Sequence, residues 1–380
     1  MKNALLVAPT LNNRANTGLK NIGDYIQSLA GGIFFDTIDE YIDREKLAEY
    51  KSDTEKTRMI MNAWYMWFPE NWPPSDDILP LLISMHISPI NASQMLTSKS
   101  IDYFKKHGPV GCRDKATEKL LQRYDIPCYF SGCLTLTLGE KYKAHTRKNN
   151  VIFVDPYFET IRNANGKLSI AYALKCLCYG IINSTKIFRL KKIFRHSCIS
   201  GYKSAIIKTI LSFLYISAFY KTYSGYFDDS LLFSAEYITH MVQIGGKSTL
   251  VTEESKLDFA GNLLKKYAEA SLVVTSRIHC ALPCLGLETP VIFITGGKLE
   301  SKYDLSSSDR YDGLIDLFRV MRCKCFTLTS EDNTLVKKIT NNSIITNKNN
   351  YLQIKNALLK KCHEFASMHE KKGYGINNDK

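Results

Sequence analysis

At 380 residues, with 45% hydrophobic and 23% charged residues, the chain is globular and too long for one ordinary core, fitting two domains. Its net charge of +13 is concentrated: residues 161–230 hold eleven Lys/Arg against only Asp228 and Asp229, a net +9, which excludes a uniformly basic nucleic-acid protein. The 11 cysteines show only C-x-C pairs (Cys176/Cys178, Cys323/Cys325) and a helically spaced Cys280/Cys284, so no metal site is expected and the thiols read as reduced, as in a cytoplasmic protein.

The apolar run at the start is too short for a secretory h-region, and Asn3 to Pro9 reads as a buried strand. A polar loop leads to a helix from about Ile22 to Ala30, ended by Gly31-Gly32, and Ile33 to Phe35 reads as a second strand. Arg58 to Trp64 and Leu81 to Met85 read as further buried strands with Pro-rich punctuation between them. Ile101 to Lys106 is helical, Pro109 to Cys112 strand-like and Lys115 to Tyr124 helical. Short strands at Cys128 to Phe130 and Leu134 to Leu138 close the first half. The basic run Lys141 to Lys148 marks a linker, and Val151 to Val154 begins a second sheet.

Residues 172–226 stand apart. The stretch 204–220 is strongly apolar, yet Lys208 interrupts it and it falls short of the roughly 20 apolar residues of a membrane span. Its basic flanks (Lys186, Arg189, Lys191, Lys192, Arg195, Lys203) suit two readings. One is contact with an anionic membrane face; the other is a helical insertion packed on the second domain with its cations solvated.

Beyond it, a helix from Lys256 to Ala270 leads into a strand at Leu272 to Val274, a short helix and a strand at Val291 to Ile294. A polar stretch from Ser330 to Asn350, a helix from Tyr351 to His369 and a tail complete the chain. Alternating strands and helices predict an α/β fold of two doubly wound, Rossmann-like domains facing a cleft, a GT-B-like arrangement. The expected division is 1–145, 146–345 with the basic helical insertion at about 161–230, and a C-terminal helix and tail over 346–380.

Arg277 and His279 sit where the Leu272 strand gives way to a helix. Ligands of open α/β sheets bind outside the carboxyl ends of strands, and a helix N-terminus there favours anions. A permanent guanidinium beside a histidine that titrates near neutrality suits a phosphate- or carboxylate-bearing substrate. Arg113 and Asp114 follow a strand in the same way, as a ligand-binding cation or as a buried brace. Asn21, Gly23 and Asp24 open the first helix: Asn21 caps it or binds ligand, Gly23 permits close approach, and Asp24 is a candidate base. Lys298, in Thr295-Gly-Gly-Lys, follows the next strand end, with Gly297 offering backbone N–H groups. His86 and His240 read as lone structural histidines, Ser131-Gly132-Cys133 as a turn, and Trp64, Trp67 and Trp72 as an aromatic cluster.

Four segments carry a resemblance: Asn21-Ile-Gly-Asp24, Gly108-Pro-Val-Gly-Cys-Arg-Asp114, Phe130-Ser-Gly-Cys-Leu-Thr-Leu-Thr-Leu138, and Thr275-Ser-Arg-Ile-His-Cys-Ala-Leu-Pro-Cys284 with Gly286-Leu-Glu-Thr-Pro-Val-Ile-Phe-Ile294. In this order they resemble the polysaccharide pyruvyl transferase family, over roughly 1–145 and 235–300 but not between. The resemblance implies transfer of a pyruvyl group from phosphoenolpyruvate to two hydroxyls of one sugar in cell-surface polysaccharide synthesis, forming a cyclic ketal without metal or cofactor. It implies His279 as proton donor or phosphate partner and Arg277 as donor-binding cation, with Asp24 as base. Arg113, Lys298, Asn21, Gly23, Asp114, Ser276 and Gly297 join them in substrate binding. The acceptor is a sugar, free or lipid-linked, and the expected place is the cytoplasm, at the inner membrane face if the basic segment touches lipid; nucleic acid is not an expected partner. Two alternatives stay open: a GT-B glycosyltransferase with Glu288 contacting a nucleotide, and a non-catalytic membrane or nucleic-acid binding protein.

Overall fold

A computed structural model describes residues 1–8, 18–53, 55–161, 169–199, 205–244, 250–296, 311–330, 332, 335 and 338–368. In the first half the elements are β1 (Asn3–Val7), β2 (Leu19–Asn21), α1 (Gly23–Gly32), β3 (Glu40–Asp43), β4 (Thr57–Met61), β5 (Trp64–Tyr65), β6 (Ile78–Leu82) and β7 (His86–Ile87). There follow α2 (Ala92–Met95), α3 (Ser98–His107), β8 (Val110–Cys112), α4 (Lys115–Gln122), β9 (Cys128–Phe130) and α5 (Gly139–Tyr142). Strands β3-β1-β4-β6 form a parallel sheet, with β5–β7 and β8–β9 as short parallel pairs.

The second half holds β10 (Val151–Val154), α6 (Ile170–Ile182), α7 (Ser184–Ile193), α8 (Ala205–Tyr223), α9 (Asp229–Ser234), β11 (Glu236–Ile238), β12 (Met241–Gln243) and α10 (Glu253–Glu269). It continues through β13 (Leu272–Thr275), α11 (Ile278–Gly286), β14 (Val291–Gly296), β15 (Arg319–Lys324), β16 (Thr327–Thr329) and α12 (Leu352–Ala366). Its sheet runs β11-β10-β13-β14-β15-β16, parallel except for the last pair. The inner strands β10, β13 and β14 are buried along their whole length, which is why they read as unbroken apolar runs.

The halves are bound together at three places. Strand β2 pairs antiparallel with β12, setting Asn21 opposite Met241. A core joins Tyr25 and Ile26 of α1, Leu264 of α10, Ala281 of α11 and Leu358 of α12. Helix α12 returns to the first half, where Phe34 meets His363 edge-on and Arg58 Nη1 donates to Ala366 O at 2.6 Å.

Two predicted strands are corrected. Leu134–Thr137 is a 3-10 turn with all four residues buried, closed by Thr137 Oγ1 donating to Leu134 O at 2.8 Å. Alternating Leu and Thr looked like a strand because its threonines point into the fold rather than to solvent. Residues Ile33 to Phe35 are not a strand; Phe34 and Phe35 are buried loop residues packed below α12, and β3 starts only at Glu40. With Ile42 its one fully buried residue, that edge strand leaves little hydrophobic signal.

The basic insertion is helical, as α6 to α9, and it is rooted in the second sheet. Phe153 of β10 sits within aromatic contact of Phe219, Tyr223, Phe227 and Tyr237. Such pairs each add roughly 0.5–1.5 kcal/mol beyond area burial, so the insertion is an integral layer. Among the described residues no helix is long and apolar enough to cross a membrane.

Candidate functional site

In the second sheet β11 lies on one side of β10 and β13 on the other, so the chain order reverses at β10, and the carboxyl ends of β10 and β13 are where open α/β sheets bind ligands. Asp155 follows β10 directly. It is 4% exposed and holds φ 39, a left-handed conformation that Asp tolerates better than most residues and that recurs at functional sites. Its Oδ1 accepts from Ser197 N at 2.8 Å; its Oδ2 accepts from His240 N at 2.9 Å, Thr239 Oγ1 at 3.3 Å and Arg277 Nε at 3.1 Å. Arg277 Nη2 lies 3.0 Å from the same oxygen.

Burial alone would raise this carboxyl, but the charges of His196, Arg277 and His240, with the His240 amide, outweigh it and hold the group at about 2. Asp155 is therefore an anion throughout the neutral range and no proton shuttle. Its role is to aim Arg277, whose side chain stays 31% exposed. An anchored guanidinium that still reaches solvent is a ready anion receptor.

His279 stands two residues on, in the first turn of α11, buried and with a backbone (φ −83, ψ 18) that leaves regular helix. Gly23, the first residue of α1, packs against it: a Cβ there would lie 3.2 Å from His279 Cβ, 3.2 Å from Asn21 Oδ1 and 3.3 Å from His240 Nδ1. The N-termini of α1 and α11 thus meet at one point, two positive dipole ends beside Arg277. Asn21 Oδ1 accepts from Gly23 N at 3.2 Å, a local turn just ahead of α1, whose N-cap residue is Ile22. His240 O accepts from Ile22 N at 2.9 Å, and its ring Nε2 pairs with Tyr267 OH at 2.9 Å. Asp24 is half-buried and lines a small cleft with Ala8, Gln27, Arg44 and Asn62 at the carboxyl ends of β1 and β4, where the first sheet also reverses.

The structure therefore brings Asn21 and Gly23 to His279 and His240 from distant parts of the chain, with Arg277 tied to the same point through Asp155, while Asp24 faces the separate small cleft of the first sheet. Ser276 lies beside them with its hydroxyl engaged, donating to Ile294 O and accepting from Tyr157 N, both at 2.6 Å. Arg113 and Asp114 belong to a different network. Asp114 Oδ2 pairs with His86 Nδ1 at 2.6 Å and lies 3.5 Å from Arg113 Nε, while Oδ1 caps α4 through Thr117 N at 2.9 Å and Thr117 Oγ1 at 2.8 Å. Burial would raise Asp114, yet His86, Arg113 and Thr117 together bring it below the usual carboxylate range. Both residues are fully buried. Gly297 and Lys298 lie outside the described residues. Glu288 sits past the far end of α11, with φ 61, and pairs with Lys143 at 2.6 Å. Among the described residues no group of three His, Cys, Asp or Glu side chains could hold a metal ion.

Asp155 was not singled out from the sequence, and His240, read there as a structural histidine, is buried and bonded to Tyr267. An acid directly after the buried run Val151–Val154 and before Pro156 was the available signal: a charge at a strand's carboxyl end.

A family model described as Polysaccharide pyruvyl transferase matches residues 83–297, more than half of the chain. The chain belongs to this family. It is accordingly a pyruvyltransferase, with polysaccharide as the family's acceptor class. The match covers Arg113, Asp155, His240, Arg277 and His279, and it runs through the basic insertion that the short motifs left out. No curated protein and no solved structure gives a significant match.

Proposed function

We propose that this enzyme takes the pyruvyl group from phosphoenolpyruvate and builds a cyclic ketal on two hydroxyls of one sugar, with the donor bound at Arg277. The observation that carries this reading is the ionised Asp155 holding Arg277 at the reversal point of the second sheet, beside His279 and two helix N-termini. A donor with phosphate and carboxylate groups needs such fixed positive charge, and the site supplies it from side chain and backbone together.

The reaction balances as follows. C3 of the enol gains a proton and becomes a methyl group, leaving C2 cation-like. One sugar hydroxyl adds to C2, the C2–O bond to phosphate breaks, and the second hydroxyl closes the ketal. Of the two hydroxyl protons, one replaces that delivered to C3 and the other leaves with phosphate. In this reading His279 delivers the C3 proton and Asp24, on α1, takes a hydroxyl proton. Neither step calls on a metal or cofactor. Two parallel sheets joined by β2–β12 and by the returning α12 support a GT-B-like pair of Rossmann-like domains at 1–145 and 146–345, with 346–380 as the closing segment. The same reading places the work on the cytoplasmic side, where phosphoenolpyruvate is made, on a free or lipid-linked glycan.

The test is the product. The enzyme, phosphoenolpyruvate and the source organism's own surface glycan are incubated in D2O, and released phosphate is compared with ketal by NMR. Equal yields, with one deuterium in the ketal methyl, are expected; His279→Ala loses both. Consumption of a nucleotide sugar without use of phosphoenolpyruvate overturns the reading in favour of a glycosyltransferase. Glu288, salt-bridged at the other end of α11, gives that alternative no support.

A further inference from the structure

We propose that the α6–α8 insertion docks the protein onto an anionic lipid surface. Residues 170–223 contain not one Asp or Glu. On α6, Ile170, Leu174, Leu177 and Ile181 fall at i, i+4, i+7 and i+11, one stripe of the helix, and all are exposed, Ile170 at 72%. The opposite side, with Cys176 and Gly180, is buried in the fold. Ile182 at 82%, Phe188 on α7, and Ile206 (75%), Ile207 and Ile210 on α8 extend the exposed apolar surface.

These side chains form one patch because the helices are closely apposed. A Cβ on Gly180 would overlap Ser217 Oγ and come within 2.7 Å of the Phe213 ring, so α6 and α8 touch there. Tyr179 meets Lys221, whose Nζ lies 4.5 Å from its ring centroid, and Ser224, while the next residue, Gly180, meets Ser217 and Phe213; this makes the pair antiparallel and brings Ile181 and Ile182 to the same end as Ile206 and Ile210. Contiguous exposed apolar surface of this kind marks a partner or membrane site.

Charge selects the partner. Lys175, Arg189, Lys191, Lys192, Arg195 and Lys208 are all exposed on the same three helices and their connections. A second copy of this face would set these cations against one another, with no acid on α6 to α8 to offset them. Anionic headgroups neutralise them while the acyl boundary takes up the isoleucines. The later half of α8 is buried, including Tyr215, Phe219 and Tyr223, so the contact is interfacial and does not span.

Docking also fixes where the Arg277 site stands. The connection after α7 reaches Asp155: Ser197 N donates to Asp155 Oδ1 at 2.8 Å, and Cys198 N donates to His196 Nδ1 at 3.1 Å, which leaves His196 Nε2 to donate to Pro156 O at 3.1 Å. Tyr223 OH donates to Tyr157 O at 2.7 Å. The surface that meets lipid and the loop that anchors Arg277 are one rigid unit, whatever acceptor is used.

Co-sedimentation of the full chain tests this with phosphatidylcholine vesicles that contain or lack phosphatidylglycerol. The wild type is expected to sediment with the anionic vesicles only and to be released by salt. Ile182→Glu with Ile206→Glu, and separately Lys191→Glu with Lys192→Glu, are each expected to lower vesicle affinity by on the order of tenfold or more. The charge-reversal pair sits wholly on the surface and decides the matter if the apolar pair lowers Tm. Equal binding to both vesicle types, or anionic binding that neither pair weakens, overturns the proposal. So does a concentration-dependent dimer that the isoleucine pair abolishes, which would assign the face to a second copy.

Discussion

Replacing Asp155 by Asn removes the charge that aims Arg277 while keeping the side chain's shape. The carboxyl sits at about 2 in the fold against about 3.9 in an unfolded chain, a difference worth about 2–3 kcal/mol at neutral pH. Breaking a buried ion pair costs about 3–5 kcal/mol, but Arg277 is partly solvated, which keeps the expected loss near the lower figure. Because the folded pKa is depressed, this stability is complete above pH about 4 and is lost as pH falls through 2. Urea unfolding should therefore show Asp155→Asn less stable by about 2–3 kcal/mol at pH 7, with the gap narrowing below pH 4 and nearly closed at pH 2. Phosphoenolpyruvate affinity should fall in parallel, as the guanidinium loses its fixed direction. A variant with wild-type stability and an unchanged acid limb would refute the assignment of Asp155 as the anchor.

Arg277→Lys keeps the charge but not the two-nitrogen hold on Asp155 Oδ2, and kcat/KM for phosphoenolpyruvate should drop by roughly tenfold or more in steady-state kinetics. Gly23→Ala puts a methyl group within 3.2 Å of His279 Cβ; activity should fall well before Tm does, since the neighbours it displaces are those of the site. Gly286→Ala drives a Cβ into the backbone of Leu136, and Tm should fall sharply, with expression in soluble form as the first readout. His86→Leu removes the closest partner of the buried Asp114 Oδ2, leaving Thr117 and the more distant Arg113, and should cost about 3 kcal/mol in urea unfolding, while phosphoenolpyruvate affinity at the Arg277 site is unchanged.

The core strands could be read directly: Val151–Val154, Leu272–Val274 and Val291–Ile294 are continuous apolar runs because both faces are covered. Arg277, His279 and Gly23 were legible because strand ends and helix starts carry a positional rule. What brings Gly23 to His279 is the β2–β12 pairing, and two three-residue strands of mixed polarity leave no periodic trace. Asp155 escaped because its importance lies in partners distant in sequence, Ser197, His240 and Arg277. Arg113 and Asp114 share their sequence setting with a strand-end site; that both are fully buried, with Asp114 joined to His86, depended on how β7 packs against the start of α4. The insertion's charge was visible from composition; which of its apolar residues face solvent depended on how α6 and α8 pack.

Isothermal titration of phosphoenolpyruvate into the wild type and Arg277→Ala addresses the central claim most directly. Charged hydrogen bonds of this kind contribute about 1.5–3 kcal/mol, so the variant should bind roughly 10- to 100-fold more weakly with its fold intact. Equal affinity in both proteins, or binding of a nucleotide sugar where phosphoenolpyruvate gives no heat, would contradict a donor site at Arg277.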